Sequence, residues 1–246
     1  MNAPDYTTAG IAIRSDLREC HQFLLEHVTS PGTWWNGKER RAIAEECRKA
    51  VSCALCRDRK DALSPTAVQG GHDSTGQLPE DVVDVIHRIR TDPARLSRQW
   101  FDGVVPAVLP DPKYVELVGV VTMMAGMDNF ARAIGVPPFV LPPAAAGEPS
   151  QHRPTGAKPG TAWVPMVAPE DATGTESDMY PADAFIPNIV RALSLVPDQV
   201  RALRVSSDAH YVAMEKIGDP TERRSIDRMQ MELVAARVSA LNECFY

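Results

Sequence analysis

Along most of the chain, apolar positions recur at intervals of three and four residues, with few alternating runs; this is the pattern of amphipathic helices separated by turns. In SDLRECHQFLLEHV, residues Leu17, Leu24, Leu25 and Val28 fall near the helical period, and Asp16 with Glu19 has the spacing of a capping box. In GKERRAIAEECRKAVSCALCRDRKDAL, residues Ile43, Cys47, Ala50, Val51, Ala54 and Leu55 gather on one side, and basic residues cover much of the other. LSPTAVQGGHDSTGQ has loop composition, after which PEDVVDVIHRI resumes a helix with Pro79 in its first turn. DPARLSRQWFDGVV and DPKYVELVGVVTMMAGMDNFARAIG predict two more helices, the second apolar enough for the core. From Pro137 to Pro169 proline and small residues are too dense for a helix or a central strand, so this stretch is expected to be a linker or an arm laid over a surface. Beyond it, Pro187 and Pro197 each start or break a helical segment, and TERRSIDRMQMELVAARVSALNEC supplies a last long helix. No sustained period-two run and no Asn-Gly hairpin signal occurs. The expected fold class is all-α, with a helical domain over 1–136, the proline-rich linker or arm over 137–169, and a further helical unit over 170–246.

Composition narrows the class. A chain of 246 residues, 44% apolar and 24% charged, can bury the core of one large or two small domains. Its formal charge of −6 is spread along the sequence, with Lys and Arg mixed among acids, which argues against a nucleic-acid partner. The most apolar stretch, VELVGVVTMMAGM, is short and interrupted by Glu116, and the N-terminus lacks a basic segment followed by an apolar one. Neither a membrane span nor an export signal is expected. Five widely spaced cysteines, Cys20, Cys47, Cys53, Cys56 and Cys244, fit a reducing cytoplasm, where paired thiols serve catalysis, redox exchange or metal binding.

Cys53 and Cys56 form a complete C-x-x-C, a spacing that permits a disulfide across one helical turn. If the helix is continuous here, Glu46, Lys49, Cys53, Cys56 and Lys60 lie close to one face, giving the thiols a carboxylate and two ammonium groups. Alternatively, Ser52 caps a new helix and places the cysteines at its N-terminus. Packing of two small side chains is the plainer reading of the pair. Zinc held by Cys47, Cys53, Cys56 and His72 is another, though structural zinc usually takes two short paired motifs. The absence of a His directly after the pair rules out haem attachment through C-x-x-C-H. His87 reads as an interface histidine at the edge of an amphipathic helix, and His72 with Asp73 lies in a glycine-rich loop without phosphate-loop spacing. Trp34 and Trp35 suit a helix junction, and Met123, Met124 and Met127 suit the core.

At the other end, Glu232 stands twelve residues before Cys244, with Asn242 placed to cap a helix beginning near that cysteine. FIPNIVRALSLVPDQVRAL followed by RRSIDRMQMELVAARVSALNECFY resembles the alkylhydroperoxidase D and carboxymuconolactone decarboxylase superfamily, in particular its peroxidase-related branch, over roughly residues 183 to 246. That branch carries E-L-x-x-x-x-V-S-x-x-N-x-C-x-Y-C-x-x-x-H, and Glu232, Leu233, Val238, Ser239, Asn242, Cys244 and Tyr246 match it. The second Cys and the His of the motif lie beyond Tyr246, so the chain is expected to be a fragment or truncated product whose C-terminal site is inert. The resemblance implies that Glu232 is a relay carboxylate and Cys244 a resolving thiol. ERRAIAEECRKAVSCALCRDRKDAL resembles a diverged copy of the same unit, with Cys56 at the attacking position and Cys53 at the resolving one. In this copy Arg41 and Lys60 stand where the family has Glu and His, so Glu45 or Glu46 would replace the relay acid and Lys60 would hold the thiolate by charge.

The resemblance therefore implies an alkylhydroperoxidase D-like helical bundle, as two tandem diverged copies with the second incomplete. It further implies peroxidase activity on hydroperoxides through a cysteine pair, with catalytic candidates Cys53, Cys56, Glu232 and Cys244 and no metal or organic cofactor. An external dithiol reductant, a thioredoxin-like or lipoyl-bearing protein, would be the partner, and a homo-oligomer the assembly. A lactone-directed decarboxylase and a non-catalytic, zinc-binding helical scaffold are the rival expectations.

Overall fold

A computed structural model of the chain describes residues 3–182, 185–242 and 244. The fold is all-α. Its helices are α1 (Ser15–Thr29), α2 (Gly37–Ala50), α3 (Ala54–Asp61), α4 (Glu80–Thr91), α5 (Arg98–Val104), α6 (Asp111–Ala133), α7 (Asn188–Arg191), α8 (Pro197–His210) and α9 (Arg228–Leu241). One two-residue antiparallel pair, β1 (Ala157–Lys158) with β2 (Met166–Val167), sets Ala157 opposite Val167.

Helix α6 is the centre, and α1, α2, α4 and α8 pack against it. It begins behind Pro110 and buries Val115, Leu117, Val120, Val121, Met123, Met124 and Met127, as its nearly unbroken apolar sequence requires. Each such side chain withdrawn from water contributes about 1.5–3 kcal/mol. Glu116 lies in the same helix, fully buried, where it pairs with Arg40 of α2 at 3.1 Å and accepts the Trp34 N–H at 2.6 Å. The polar residue that interrupts the apolar run is thus the inner half of a buried ion pair.

Helix starts differ in part from expectation. Asp16 and Glu19 form no capping box: α1 is preceded by Arg14, and Asp16 accepts instead from Leu17 N and the Arg14 guanidinium. Boxes form at Asn36 with Glu39, opening α2, and at Asp227 with Gln230, opening α9. The helix through the C-x-x-C is not continuous. The amides of Val51, Ser52 and Cys53 bond to carbonyls three residues back, which tightens the chain and ends α2. Cys53 is then extended and becomes the cap position of α3, one residue after the alternative at Ser52.

The proline-rich stretch lies over the start of α2. Ala145 N bonds to Thr29 O at 2.9 Å, Gln151 N to Thr33 O at 2.7 Å, and Arg41 Nε to Pro142 O at 3.1 Å, while Phe139 and Leu141 enter the core. Helix α8 packs on both α1 and α6, so the C-terminal half is joined directly to the first. Helix α9 buries Met231 and exposes Leu233, Val234, Val238 and Leu241.

Candidate functional site

The break between α2 and α3 turns both cysteines toward α4. Asp73, in the loop after α3, accepts the Ala54 N–H at 2.9 Å and so caps α3. At the other end Arg95 donates to the carbonyls of Arg59, Lys60 and Ala62. Held at both ends, α3 presents Cys53 and Cys56 from its first turn, and both residues are buried with reduced thiols.

Two histidines meet these thiols. His72 Nδ1 lies 3.5 Å from Cys53 Sγ and 3.6 Å from Cys56 Sγ, and His87 Nδ1 lies 3.1 Å from Cys56 Sγ. Each ring is anchored through its far nitrogen to a carboxylate. His87 Nε2 is 2.8 Å from Glu46 Oε1, both side chains wholly buried, and His72 Nε2 is 2.9 Å from Asp84 Oδ1. Glu46 also accepts from the Thr75 amide at 2.9 Å and hydroxyl at 2.6 Å, and Asp84 accepts from Arg59 at 2.5 Å. Asp84 and His87 are three apart on α4, on one face of that helix.

The two histidines carry opposite electrostatics. Burial works against protonation of His72, but hydrogen bonds to Asp84, Cys56 and Cys53 outweigh it and push its pKa up to about 10. Burial likewise opposes ionisation of Asp84, yet His72 and Arg59 bring it down to about 2. His87 shifts the other way, lowered by burial and by the charge of His72 against the pull of Glu46. Burial also disfavours the Glu46 carboxylate, but Thr75 and His87 hold its pKa below the usual range. Neutral His87 therefore donates Nε2–H to the Glu46 carboxylate and turns a lone pair at Nδ1 toward Cys56. At Cys53 burial opposes ionisation, while the amides of Cys56 and Asp73 and the His72 ring favour it; its thiol is more acidic than an ordinary one.

Several expected assignments change. Of the two acids weighed for the relay, Glu46 reaches the site, whereas Glu45 pairs with Arg41 at 2.8 Å and Gln77 at 2.7 Å. Lys49 and Lys60 are exposed, because the break after Ala50 rotates the two segments, and the cation beside the thiols is His72. Cys47 is not a fourth ligand candidate: it is buried on α2 with Sγ directed at the Val121 carbonyl, 3.8 Å away, and burial pushes its pKa up to about 12. His87 does lie at a helix interface, wholly buried between α4 and α2 with Glu46 as its partner, and its other nitrogen faces Cys56. Its placement was readable only as Asp84 and His87 at helical spacing, a signal that does not name the thiols as partners.

Glu232 and Cys244 belong to another region. Glu232 is exposed on α9, pairing with Arg228 at 2.7 Å and accepting from the Tyr211 hydroxyl. Cys244 is exposed, its amide bonded to Ser239 O at 2.9 Å, and Asn242 is the C-terminal cap of α9. Tyr246 lies outside the described residues. The site partners found for Cys53 and Cys56 are Glu46, His72, Asp84 and His87, and neither Glu232 nor Cys244 is among them.

No protein-family model, curated protein or solved structure matches the chain. Fold and site define an all-α protein with a Cys2His2 cluster, buried except for the half-buried His72, in which each imidazole is backed by a carboxylate. Among the described residues, no helix is long and apolar enough to cross a membrane.

Proposed function

We propose that the chain is a thiol-dependent, peroxidase-like oxidoreductase that reduces hydroperoxides through Cys56 and Cys53. The observation that carries this reading is the buried line Glu46–His87–Cys56, with 2.8 Å and 3.1 Å between successive polar atoms. A carboxylate that fixes an imidazole tautomer, and an imidazole whose free nitrogen faces a thiol, is the arrangement that activates a cysteine nucleophile. The sequence resemblance to the alkylhydroperoxidase D superfamily implies the same chemistry, with Glu46 one of the two acids it offers for the relay; His87 has no counterpart in that motif and takes the base role on the geometry alone.

His87 takes the Cys56 proton as the thiolate attacks the terminal oxygen of the hydroperoxide. The O–O bond breaks, and the departing alkoxide receives that proton from His87 and leaves as an alcohol. Cys56 is then a sulfenic acid. The Cys53 thiolate attacks its sulfur, the S–S bond forms, and the hydroxide expelled takes up a proton to leave as water. An external dithiol, supplied by a thioredoxin-like or lipoyl-bearing protein in a reducing compartment such as the cytoplasm, returns the disulfide to two thiols and is itself oxidised.

The test is peroxide-dependent consumption of a dithiol by the wild-type chain, Cys53→Ser and Cys56→Ser. Turnover lost in Cys56→Ser, with Cys53→Ser halting after one peroxide as a sulfenic acid trapped by dimedone, is the expected result. Equal activity in all three proteins, or none in the folded wild type, overturns the reading.

A further inference from the structure

We propose that Cys53, Cys56, His72 and His87 also form a tetrahedral zinc(II) site, and that the metal and a Cys53–Cys56 disulfide exclude one another. Binding stands on the geometry alone. The exclusion rests on the peroxidase reading above.

One ligand atom from each of Cys53, Cys56, His72 and His87 lies within 4.8 Å of the others, which makes a set of four, and the nitrogens that face the sulfurs are both Nδ1. Zinc takes Cys sulfur at about 2.3 Å and His nitrogen at about 2.0–2.1 Å, so a tetrahedral centre separates a sulfur from a nitrogen by about 3.6 Å. Three of the four S···N separations are 3.5 Å for Cys53–His72, 3.6 Å for Cys56–His72 and 3.1 Å for Cys56–His87. Two of these match the tetrahedral edge, Cys56 and His87 would have to move apart, and no pair of the four ligand atoms is farther apart than 4.8 Å.

The surroundings fit as well. A zinc-bound imidazole needs its other nitrogen protonated and held, and here both Nε2 atoms face carboxylates, Glu46 at 2.8 Å and Asp84 at 2.9 Å. Two thiolates neutralise the charge of the ion, and two imidazoles complete a borderline-soft set suited to zinc and unsuited to magnesium or calcium. The ligands come from the start of α3, the loop before α4 and α4 itself, so the ion would join three segments that the polypeptide connects only through a long loop.

Both thiolates cannot serve zinc and peroxide together. Oxidation of the loaded site consumes one hydroperoxide and two protons. The two thiolate sulfurs give two electrons to the O–O bond, and the products are the disulfide, an alcohol, water and free zinc(II). Occupancy thus protects the pair, and oxidation releases the metal.

The experiment loads the reduced, chelator-treated full chain with zinc or cobalt(II), with no peroxide present. One equivalent is expected to bind, and the cobalt form is expected to show thiolate-to-metal charge transfer with the ligand-field bands of a tetrahedral ion. Cys53→Ser, Cys56→Ser, His72→Ala and His87→Ala each lose roughly 100-fold or more in affinity, beyond the 10–100-fold typical of second-layer partners. Cys47→Ser binds as wild type, and His72→Cys, which keeps four ligands, recovers binding. No saturable metal in the folded wild type, uptake unchanged in Cys53→Ser, or a cobalt spectrum without thiolate bands overturns the site. If a variant fails to fold, the wild-type cobalt spectrum decides, because it reads the ligands directly. In a second arm, zinc-loaded and metal-free chains meet the same hydroperoxide. Oxidation of only the metal-free chain supports exclusion, and equal rates with zinc retained overturn it. A metal-free chain that does not oxidise refutes the peroxidase reading and the exclusion built on it, and leaves the binding result standing.

Discussion

His87 of α4 and Glu46 of α2 meet at 2.8 Å with no exposed side-chain surface, and the other nitrogen of the same imidazole faces Cys56 Sγ at 3.1 Å. This contact fixes which nitrogen of His87 carries the proton. Glu46→Gln keeps the size of the side chain, but its amide can present either a carbonyl or an NH2 group to Nε2, and the tautomer is no longer enforced. Peroxide turnover is expected to fall on the order of 100-fold, the usual contribution of positioned acid–base groups, with the helical circular dichroism unchanged. Alkylation of Cys56 by iodoacetamide should slow in parallel. An unchanged rate would detach Glu46 from the chemistry.

The buried Arg40–Glu116 pair supports the core that carries α2. Glu116→Ala leaves the Arg40 guanidinium buried without its counter-ion, which is expected to cost about 3–5 kcal/mol in urea unfolding. The double change Arg40→Met with Glu116→Leu, which removes both charges, should recover most of that loss.

Gly32 marks the same place from the other side. A Cβ there would stand 1.8 Å from Glu116 Oε1 and 2.1 Å from Arg40 Nη1, too close for either group to stay. Gly32→Ala is therefore expected to lower the thermal midpoint by several degrees, and an unaltered midpoint would show that the ion pair is free to shift.

Stability should fall on the acid side of neutrality. His21, wholly buried against Tyr6 and His210, is held at about 4 by burial and by the charge of His210. Unfolded, it protonates near 6.5, so the unfolded state binds the extra proton first as pH drops. Its contribution is complete above about pH 6.5 and is lost between there and about pH 4, a change of about 3 kcal/mol. Urea midpoints measured from pH 7 to 4 on wild type and His21→Gln should show the smaller dependence in the variant.

Helical periodicity makes α1, α2, α4, α6 and α8 legible, because each buries an apolar stripe or, for α6, most of its surface; α9 has the same periodicity but buries only Met231 of it. The spacing leaves two readings of where α2 ends, a helix continuous through the cysteines or a new one capped at Ser52. The break after Ala50 depends on Asp73, nineteen residues beyond Ala54, supplying the cap of α3, a contact that spacing along the chain does not encode. A continuous helix sets Lys49 and Lys60 beside the thiols, whereas a new helix capped at Ser52 puts the cysteines in its first turn; the structure follows the second reading, with the cap one residue later at Cys53. Glu46 was legible as one of two acids near the pair. Its selection over Glu45 depends on which side of α2 faces α4, and that is set by packing.

The most direct test of the account mixes the reduced, metal-free chain with a stoichiometric organic hydroperoxide and maps its cysteines by mass spectrometry. A disulfide between Cys53 and Cys56, formed with one equivalent of alcohol while Cys20 and Cys47 stay reduced, is the predicted result. Oxidation confined to Cys244, with Cys53 and Cys56 left as thiols, would contradict it.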